Sequence, residues 1–205
     1  QGEKAPEFCP KCGSPKNQFY QDGGSAWSIV SSLLIVSALA TLFFILFSCH
    51  SSKTVDNSTV KELDLDKYLG RWYEVARFDH RFERGMEQCT AIYSMRKDGK
   101  ISITNQGMKN GKWKTSVGKG KMTDTPGVLR VSFFGPFYSD YRVMMLSEDY
   151  KYALVGSGSP KYLWILSRTP DLPDDVIMSI LDTASERGYD VNDLIWVDQS
   201  SDSGL

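Results

Sequence analysis

The feature that most limits the fold is a succession of eight short runs of strand-forming residues. They are separated by turn signals: Asp98-Gly99 and Asn110-Gly111 supply positive φ at low cost, and Gly158-Ser159-Pro160 removes a backbone donor. The runs are residues 70–78, 89–96, 101–106, 112–123, 128–134, 141–147, 151–157 and 162–168. Such a succession predicts a meander, and eight strands that close on themselves leave no exposed edge. We therefore predict an all-β fold, an eight-stranded antiparallel up-and-down barrel.

One amphipathic helix is expected after the last run. Asp171-Leu172-Pro173 opens it, Asp174 and Asp175 suit the positive end of its dipole, and Gly188 ends it. Its apolar face carries Val176, Ile177, Ile180, Leu181 and Ala184. The outside of the barrel is the surface available to cover that face. Residues 194–197 then predict a short closing strand.

The bulk composition excludes one class of partner. The 205 residues have a formal net charge of −1, with 41% hydrophobic and 24% charged residues, as in an ordinary globular protein. No basic excess draws the chain onto nucleic acid. Nucleic acid is therefore not an expected partner, and no cofactor is predicted.

The N-terminal part predicts a membrane segment. No charged residue occurs from Gly23 to Cys49, and about 20 apolar residues are needed to cross a bilayer. The run ends in Leu46-Phe47-Ser48-Cys49, which resembles a bacterial lipobox, although Phe47 is bulky for it. Two alternatives stand: an uncleaved transmembrane helix, or a lipoprotein signal with Cys49 acylated. Both hold the rest of the chain outside the cytoplasm, on the periplasmic face of a bacterial membrane or at the outer membrane.

These patterns divide the chain into five parts. Residues 1–25 form a short N-terminal segment, 26–48 the membrane segment, 49–61 a small and polar linker, 62–199 the barrel, and 200–205 a tail. Within the first part, Cys9 and Cys12 form a Cys-x-x-Cys knuckle that offers two thiolates to zinc. Tetrahedral zinc takes four ligands, and no second pair of cysteines follows. An incomplete half-site is the stronger interpretation.

Three motifs resemble those of the lipocalin family. Residues 70–72 match its Gly-x-Trp motif, Asp140-Tyr141 lies where the second motif falls, and residues 164–170 match the third. The resemblance covers residues 62–199 and is strongest to the bacterial outer-membrane lipoprotein lipocalins and apolipoprotein D. It implies that Gly70, Trp72 and Arg168 are structural: Trp72 closes one end of the barrel with Arg168 stacked on its indole, where a cation–π contact contributes roughly 0.5–2 kcal/mol.

The resemblance also implies a ligand site inside the barrel. Tyr141 and Trp164 correspond to cavity positions, and strand alternation adds Val143, Met145, Tyr162 and Leu166. Relatives bind fatty acids and lysophospholipids, so such a lipid is the implied partner. No cysteine follows Cys89, which departs from relatives that pair this residue, and we expect a free, half-buried thiol. The sequence leaves the oligomeric state open.

The two alternatives to lipid binding are an enzyme and a protein-binding barrel. An enzyme would need a catalytic constellation, but the two histidines are His50 in the linker and His80 in a charged stretch, and nothing in the sequence joins either to a nucleophile. We therefore predict no enzymatic activity. The second alternative is a filled barrel that binds a protein partner through its loops, with the aromatic stretch 133–138 as the patch.

Overall fold

The structure, a computed structural model, describes residues 54–200, which belong to one compact unit of residues 53–205. The predictions for Cys9, Cys12, Cys49 and the membrane segment 26–48 lie outside the described residues. Of the helices within residues 54–200, none is long and apolar enough to cross a membrane.

The described chain is mainly β-structure with two α-helices. In order, its elements are α1 Leu65–Tyr68, β1 Gly70–Phe78, β2 Glu87–Met95, β3 Ile101–Lys109, β4 Lys112–Met122, β5 Val128–Ser132, β6 Ser139–Leu146, β7 Tyr152–Gly156, β8 Leu163–Ser167, α2 Asp174–Glu186 and β9 Leu194–Trp196, with a 3-10 turn at Val191–Asp193. The eight predicted runs coincide with β1 to β8, and their ends differ by only a few residues.

The first eight strands close into a barrel. Each strand from β2 to β7 pairs antiparallel with the next, and β1 pairs with both β8 and β2. Strand β9 adds to the second half of β1, with Leu194 opposite Phe78. The Asn110-Gly111 turn between β3 and β4 has φ of 53° and 68°, as predicted for a tight hairpin. The closed barrel, the C-terminal helix and the closing strand are thus confirmed.

The barrel has two different ends. The closed end carries α1 and the loops 96–100, 123–127 and 147–151. The open end carries the loops 79–86, 110–111, 133–138 and 157–162. Strand β1 runs from the closed end to the open end, and helix α2 packs on the outside of the barrel. Its buried residues Ile180 and Ala184 share a core cluster with Met144, Leu163 and Ile165.

The closed end is sealed by an arginine stacked on a tryptophan. Trp72 is fully buried, and Arg168 Cζ lies 3.8 Å from the centre of its ring, so the predicted contact is confirmed. The same guanidinium donates to five backbone carbonyls, those of Lys67, Tyr68, Leu69, Arg71 and Tyr150, at 2.7–3.2 Å. Gly70 has a φ of 98°, and a Cβ there would stand 3.3 Å from the guanidinium, which explains the glycine of the motif.

Residues 54–61, the second half of the expected linker, lie along the barrel wall. The Asp56 amide donates to the Arg187 carbonyl and the Val60 amide to the Val143 carbonyl, at 2.9 and 3.0 Å. The Asn57 side chain donates to the carbonyl of Ser157. Val55 and Val60 of this segment also pack against the two hydrophobic core clusters. All of these partners lie within the unit 53–205, so we expect that unit to fold without residues 1–52.

Candidate functional site

The barrel interior holds a cavity of about 800 Å³ that opens between the open-end loops. This volume is within the roughly 300–1,000 Å³ typical of small-molecule sites. Its wall is largely apolar and aromatic, and includes Phe82, Tyr93, Ile103, Val131, Phe133, Tyr141, Tyr162, Trp164 and Leu166. The interior is therefore open rather than filled with side chains.

Two tyrosines, Tyr93 and Tyr141, form the floor of the cavity, and Tyr68 is buried beneath them. Tyr141 Oη lies 2.6 Å from Tyr68 Oη and accepts a 3.0 Å hydrogen bond from Tyr93 Oη. Burial raises the pKa of all three hydroxyls, so they stay protonated. Because they hydrogen-bond to one another, the floor offers aromatic surface rather than free polar groups to whatever enters.

The structure brings four of the six predicted ligand residues to the cavity. Tyr141, Tyr162, Trp164 and Leu166 line it, whereas Leu163 and Ile165, on the opposite face of β8, pack under α2. This arrangement follows the alternation that the sequence predicts for this strand.

The other two predicted residues do not line the cavity, which corrects the sequence interpretation. Val143 faces inward but is fully buried in the closed-end core with Trp72. Met145 packs against the outer cluster beneath α2 together with Met144. For Met145 the cause is a register shift of β6 against β7 between Val143 and Met145. Such a bulge places two successive residues on one face, so alternation counted from Tyr141 fails beyond it.

A buried charged cluster lies in the wall near the open end, and the sequence reasoning missed it. Arg77 Nη1 lies 2.6 Å from Glu74 Oε1, and Arg77 Nη2 donates to the carbonyls of Glu83 and Met86. Glu83 Oε2 accepts from the Trp164 indole at 3.2 Å and lies 3.0 Å from His80 Nε2. The sequence sign of this cluster was the charged stretch around His80. That Glu74 and Arg77 point inward is visible only once β1 is paired with its neighbouring strands.

The cluster holds two carboxyl groups and one guanidinium. Burial and the nearby charge of Glu83 raise the pKa of Glu74 to about 8, against the opposing effect of Arg77. Burial also acts to raise the pKa of Glu83, but hydrogen bonds from His80 and Trp164 and the charge of Arg77 outweigh it, and the pKa of Glu83 is lowered. Near neutral pH, therefore, Glu83 carries the negative charge and Glu74 holds a proton.

Cys89 lies on the cavity wall beside this cluster; it is free, as expected, but buried rather than half-buried. Burial, followed by the charge of Glu74, raises the pKa of its thiol to about 12. The thiolate, not the thiol, is the nucleophilic form of cysteine. Because the Cys89 thiol stays protonated near neutral pH, Cys89 is a poor nucleophile. Within residues 54–200, no group of three or more His, Cys, Asp or Glu side chains is placed to hold a metal ion.

Polar groups are concentrated toward the mouth. Lys109 and Lys114 line the cavity on β3 and β4. Asn105 Oδ1 and Ser132 Oγ, which also belong to cavity-lining residues, are buried and have no hydrogen-bond partner among the described residues. A buried polar atom without a hydrogen-bond partner costs about 1–3 kcal/mol of free energy. These atoms therefore favour a ligand that carries polar groups. The cavity is thus aromatic at its floor and polar at its mouth, as an amphiphile requires.

A barrel with these motifs and this cavity matches a known family. The lipocalin-like domain model matches residues 63–199. The chain is a lipocalin. It is 46% identical over 172 residues to "Outer membrane lipoprotein Blc" of Escherichia coli (strain K12), covering 82% of this chain and 97% of that protein. It is 32% identical over 192 residues to apolipoprotein D of Mus musculus, covering 84% and 97%.

A solved structure supports the fold alone. Insecticyanin from the tobacco hornworm Manduca sexta superposes with a TM-score of 0.58 at 23% identity, covering 68% of this chain and 82% of that one. Membership of this family agrees with a role as a ligand-binding carrier.

Proposed function

We propose that this lipocalin binds one single-chain lipid, a fatty acid or a lysophospholipid, inside its barrel while its N-terminus holds it at a membrane, and that it stores or transports that lipid. The observation that carries the proposal is the 800 Å³ cavity with an aromatic floor and a polar mouth. A buried methylene contributes about 0.8 kcal/mol, so a long chain can offset the entropic cost of association.

The floor and the mouth set the orientation of the lipid. The tyrosine hydroxyls at the floor already bond to one another, so the methyl end of the chain lies against Tyr93 and Tyr141. The head group then lies at the mouth, where Lys109 and Lys114 are positioned to bind a carboxylate or phosphate. Trp164 and Tyr162, whose rings stack with centroids 5.9 Å apart, contact the upper part of the chain.

The proposed anchor is an acylated Cys49, with the barrel on the periplasmic side of a bacterial outer membrane. The E. coli relative is named an outer membrane lipoprotein. Its match of 172 residues is longer than the 152 residues from 54 to 205, so it reaches into the segment before Thr54, where Cys49 lies. This favours the lipoprotein signal over an uncleaved helix. Cys49→Ala should abolish processing and lipid attachment, measured by mass spectrometry.

A fluorescence titration tests the ligand. Fatty acids of increasing length are added to delipidated protein lacking residues 1–52, and tryptophan emission is followed. Binding should be saturable at one lipid per chain and should strengthen with each methylene until the cavity is full. Lys114→Glu should weaken binding of a fatty acid but not of the matching fatty alcohol. Absence of a saturable response would contradict the proposal and favour a protein that binds a partner through its loops.

A further inference from the structure

The open end carries most of the exposed large aromatic residues of the described chain. Among residues 54–200, five Phe or Trp side chains are exposed: Phe82, Trp113, Phe134, Phe137 and Trp196. All but Trp196 lie on loops or strand ends around the mouth, and Phe134 and Phe137 are 70% and 79% exposed. Exposure of this extent on neighbouring loops indicates a surface that binds something apolar.

Cations accompany these aromatic residues. Lys119 and Lys121 lie 5.7 and 5.2 Å from the Tyr138 ring centre, and Arg81 lies 4.8 Å from that of Phe82. Within the described residues, neither lysine forms an ion pair with a carboxylate, whereas the nearby Asp140 is neutralised by Arg130 and Arg142. Aromatic and basic side chains together are typical of surfaces that enter the interface of an anionic bilayer.

The course of the chain supports the same orientation. The Asn57 side chain bonds to Ser157 at the start of an open-end loop, and Thr54 lies beside Gly188, just after α2 and before β9 begins opposite Phe78. The chain therefore joins the barrel on its open-end side. Four residues lie between Cys49 and Thr54, so five Cα-to-Cα steps join them, a reach of at most about 18 Å. An anchor at Cys49, which belongs to the proposed function, would hold the mouth near the membrane.

We infer that the open-end rim, defined by Phe82, Trp113, Phe134, Phe137, Lys119 and Lys121, docks onto an anionic lipid bilayer. The aromatic side chains enter the interface and the lysines contact anionic head groups. Because Phe82, Phe134 and Phe137 also line the mouth, docking joins the cavity directly to the bilayer. A lipid can then pass between them without crossing water. A bilayer fits this rim better than a protein partner because the rim encircles the entrance that a lipid must use.

Hydrogen exchange by mass spectrometry tests this inference on the full chain in lipid nanodiscs. Nanodiscs of phosphatidylcholine are compared with nanodiscs that also contain phosphatidylglycerol. We expect amides of loops 79–86 and 133–138 to exchange several-fold more slowly with phosphatidylglycerol, while those of closed-end loops 96–100 and 147–151 are unchanged. Equal exchange at the open end in both lipids would overturn the inference and leave the rim to a protein partner. Slowing confined to the closed end would overturn it as well.

Two variants separate docking from ligand binding. Lys119→Glu with Lys121→Glu, neither of which lines the cavity, should remove the effect of phosphatidylglycerol, whereas Lys97→Glu with Lys100→Glu at the closed end should not. If both pairs behave alike, the lysines of the rim have no special role and the inference fails. Fatty-acid titration of the same variants reports on the proposed ligand, so failure of docking with intact binding, or the reverse, identifies which of the two ideas is wrong.

Discussion

The closed and open ends of this barrel use similar residue types for opposite purposes. At the closed end, Arg168 stacks on Trp72 and donates hydrogen bonds to five backbone carbonyls. Neither side chain is therefore available to a ligand. At the open end, Trp164 faces a cavity, and the buried Asn105 Oδ1 and Ser132 Oγ of the cavity wall have no hydrogen-bond partner among the described residues. The difference teaches that satisfaction of polar groups, rather than their number, separates a structural plug from a binding site.

The largest expected effect lies at the closed end. Arg168→Ala should lower the free energy of unfolding by about 3 kcal/mol or more, because several carbonyls lose a charged donor and the Trp72 ring loses its cover. Fatty-acid affinity should change far less. Urea unfolding measures the first and fluorescence titration the second. The control is Arg96→Ala, which should cost less than about 0.5 kcal/mol, because within residues 54–200 the Arg96 guanidinium bonds only to the exposed Asp98. If Arg168→Ala left stability unchanged but abolished fatty-acid binding, the closed end would be a ligand site rather than a structural plug.

The buried cluster of the open end predicts a pH dependence. The pKa of Glu74 is raised from 4.5 to about 8, so between these values the folded state holds a proton that the unfolded state has lost. Stability should therefore fall as pH rises from 6 to 8, by up to about 1.4 kcal/mol per pH unit. Glu83, whose pKa is lowered, is ionised in both states there. Glu74→Gln should flatten the profile and exposed Glu87→Gln should not. A profile that stays as steep in Glu74→Gln would refute the assignment.

A mutation in the cavity wall should mainly affect binding. Trp164→Ala removes ligand-contacting surface and should weaken fatty-acid binding by about tenfold, or roughly 1.4 kcal/mol. Unfolding should stay cooperative. Trp196→Ala on the outer strand β9, where the side chain is half exposed, is the matched control and should leave affinity unchanged. The two dissociation constants come from calorimetry, because both variants alter fluorescence. Equal losses of fatty-acid affinity in both variants would show that Trp164 is not part of the ligand site.

The smallest effect concerns the corrected residue. Met145→Ala should leave fatty-acid affinity within about twofold of the parent, because its side chain packs beneath α2 and not in the cavity. A modest loss of stability, about 1–2 kcal/mol, should accompany it, since the side chain is partly buried. Leu166→Ala, on the cavity wall, is the comparison variant and should weaken binding more. If Met145→Ala lost more affinity than Leu166→Ala, the claim that the bulge turns Met145 away from the cavity would be wrong.

The sequence predicted what depends on local pattern. Alternation and turn chemistry located β1 to β8, and the motif residues gave the Trp72–Arg168 contact at the closed end. Tyr162, Trp164 and Leu166 were placed correctly because β8 alternates without interruption. Met145 was misplaced because a bulge changes the alternation and leaves no mark in the residue types.

Longer-range features were beyond the sequence. The Glu74–Arg77–Glu83 cluster forms only when β1 meets the loop 79–86, so its charges look like an ordinary solvated stretch in the chain. The packing of residues 54–61 on the barrel was hidden for the same reason, because small polar residues are equally typical of a free linker. In each case the missing information is a pairing between distant segments.

The most direct test of the account is native mass spectrometry of the full-length protein, isolated from membranes without delipidation. The account predicts one bound lipid with a single acyl chain per protein, released on collisional activation and reduced in the Trp164→Ala variant. Protein that carries no lipid under these conditions, and that takes up none when oleic acid is added, would contradict the claim that the open end of this barrel is a lipid site.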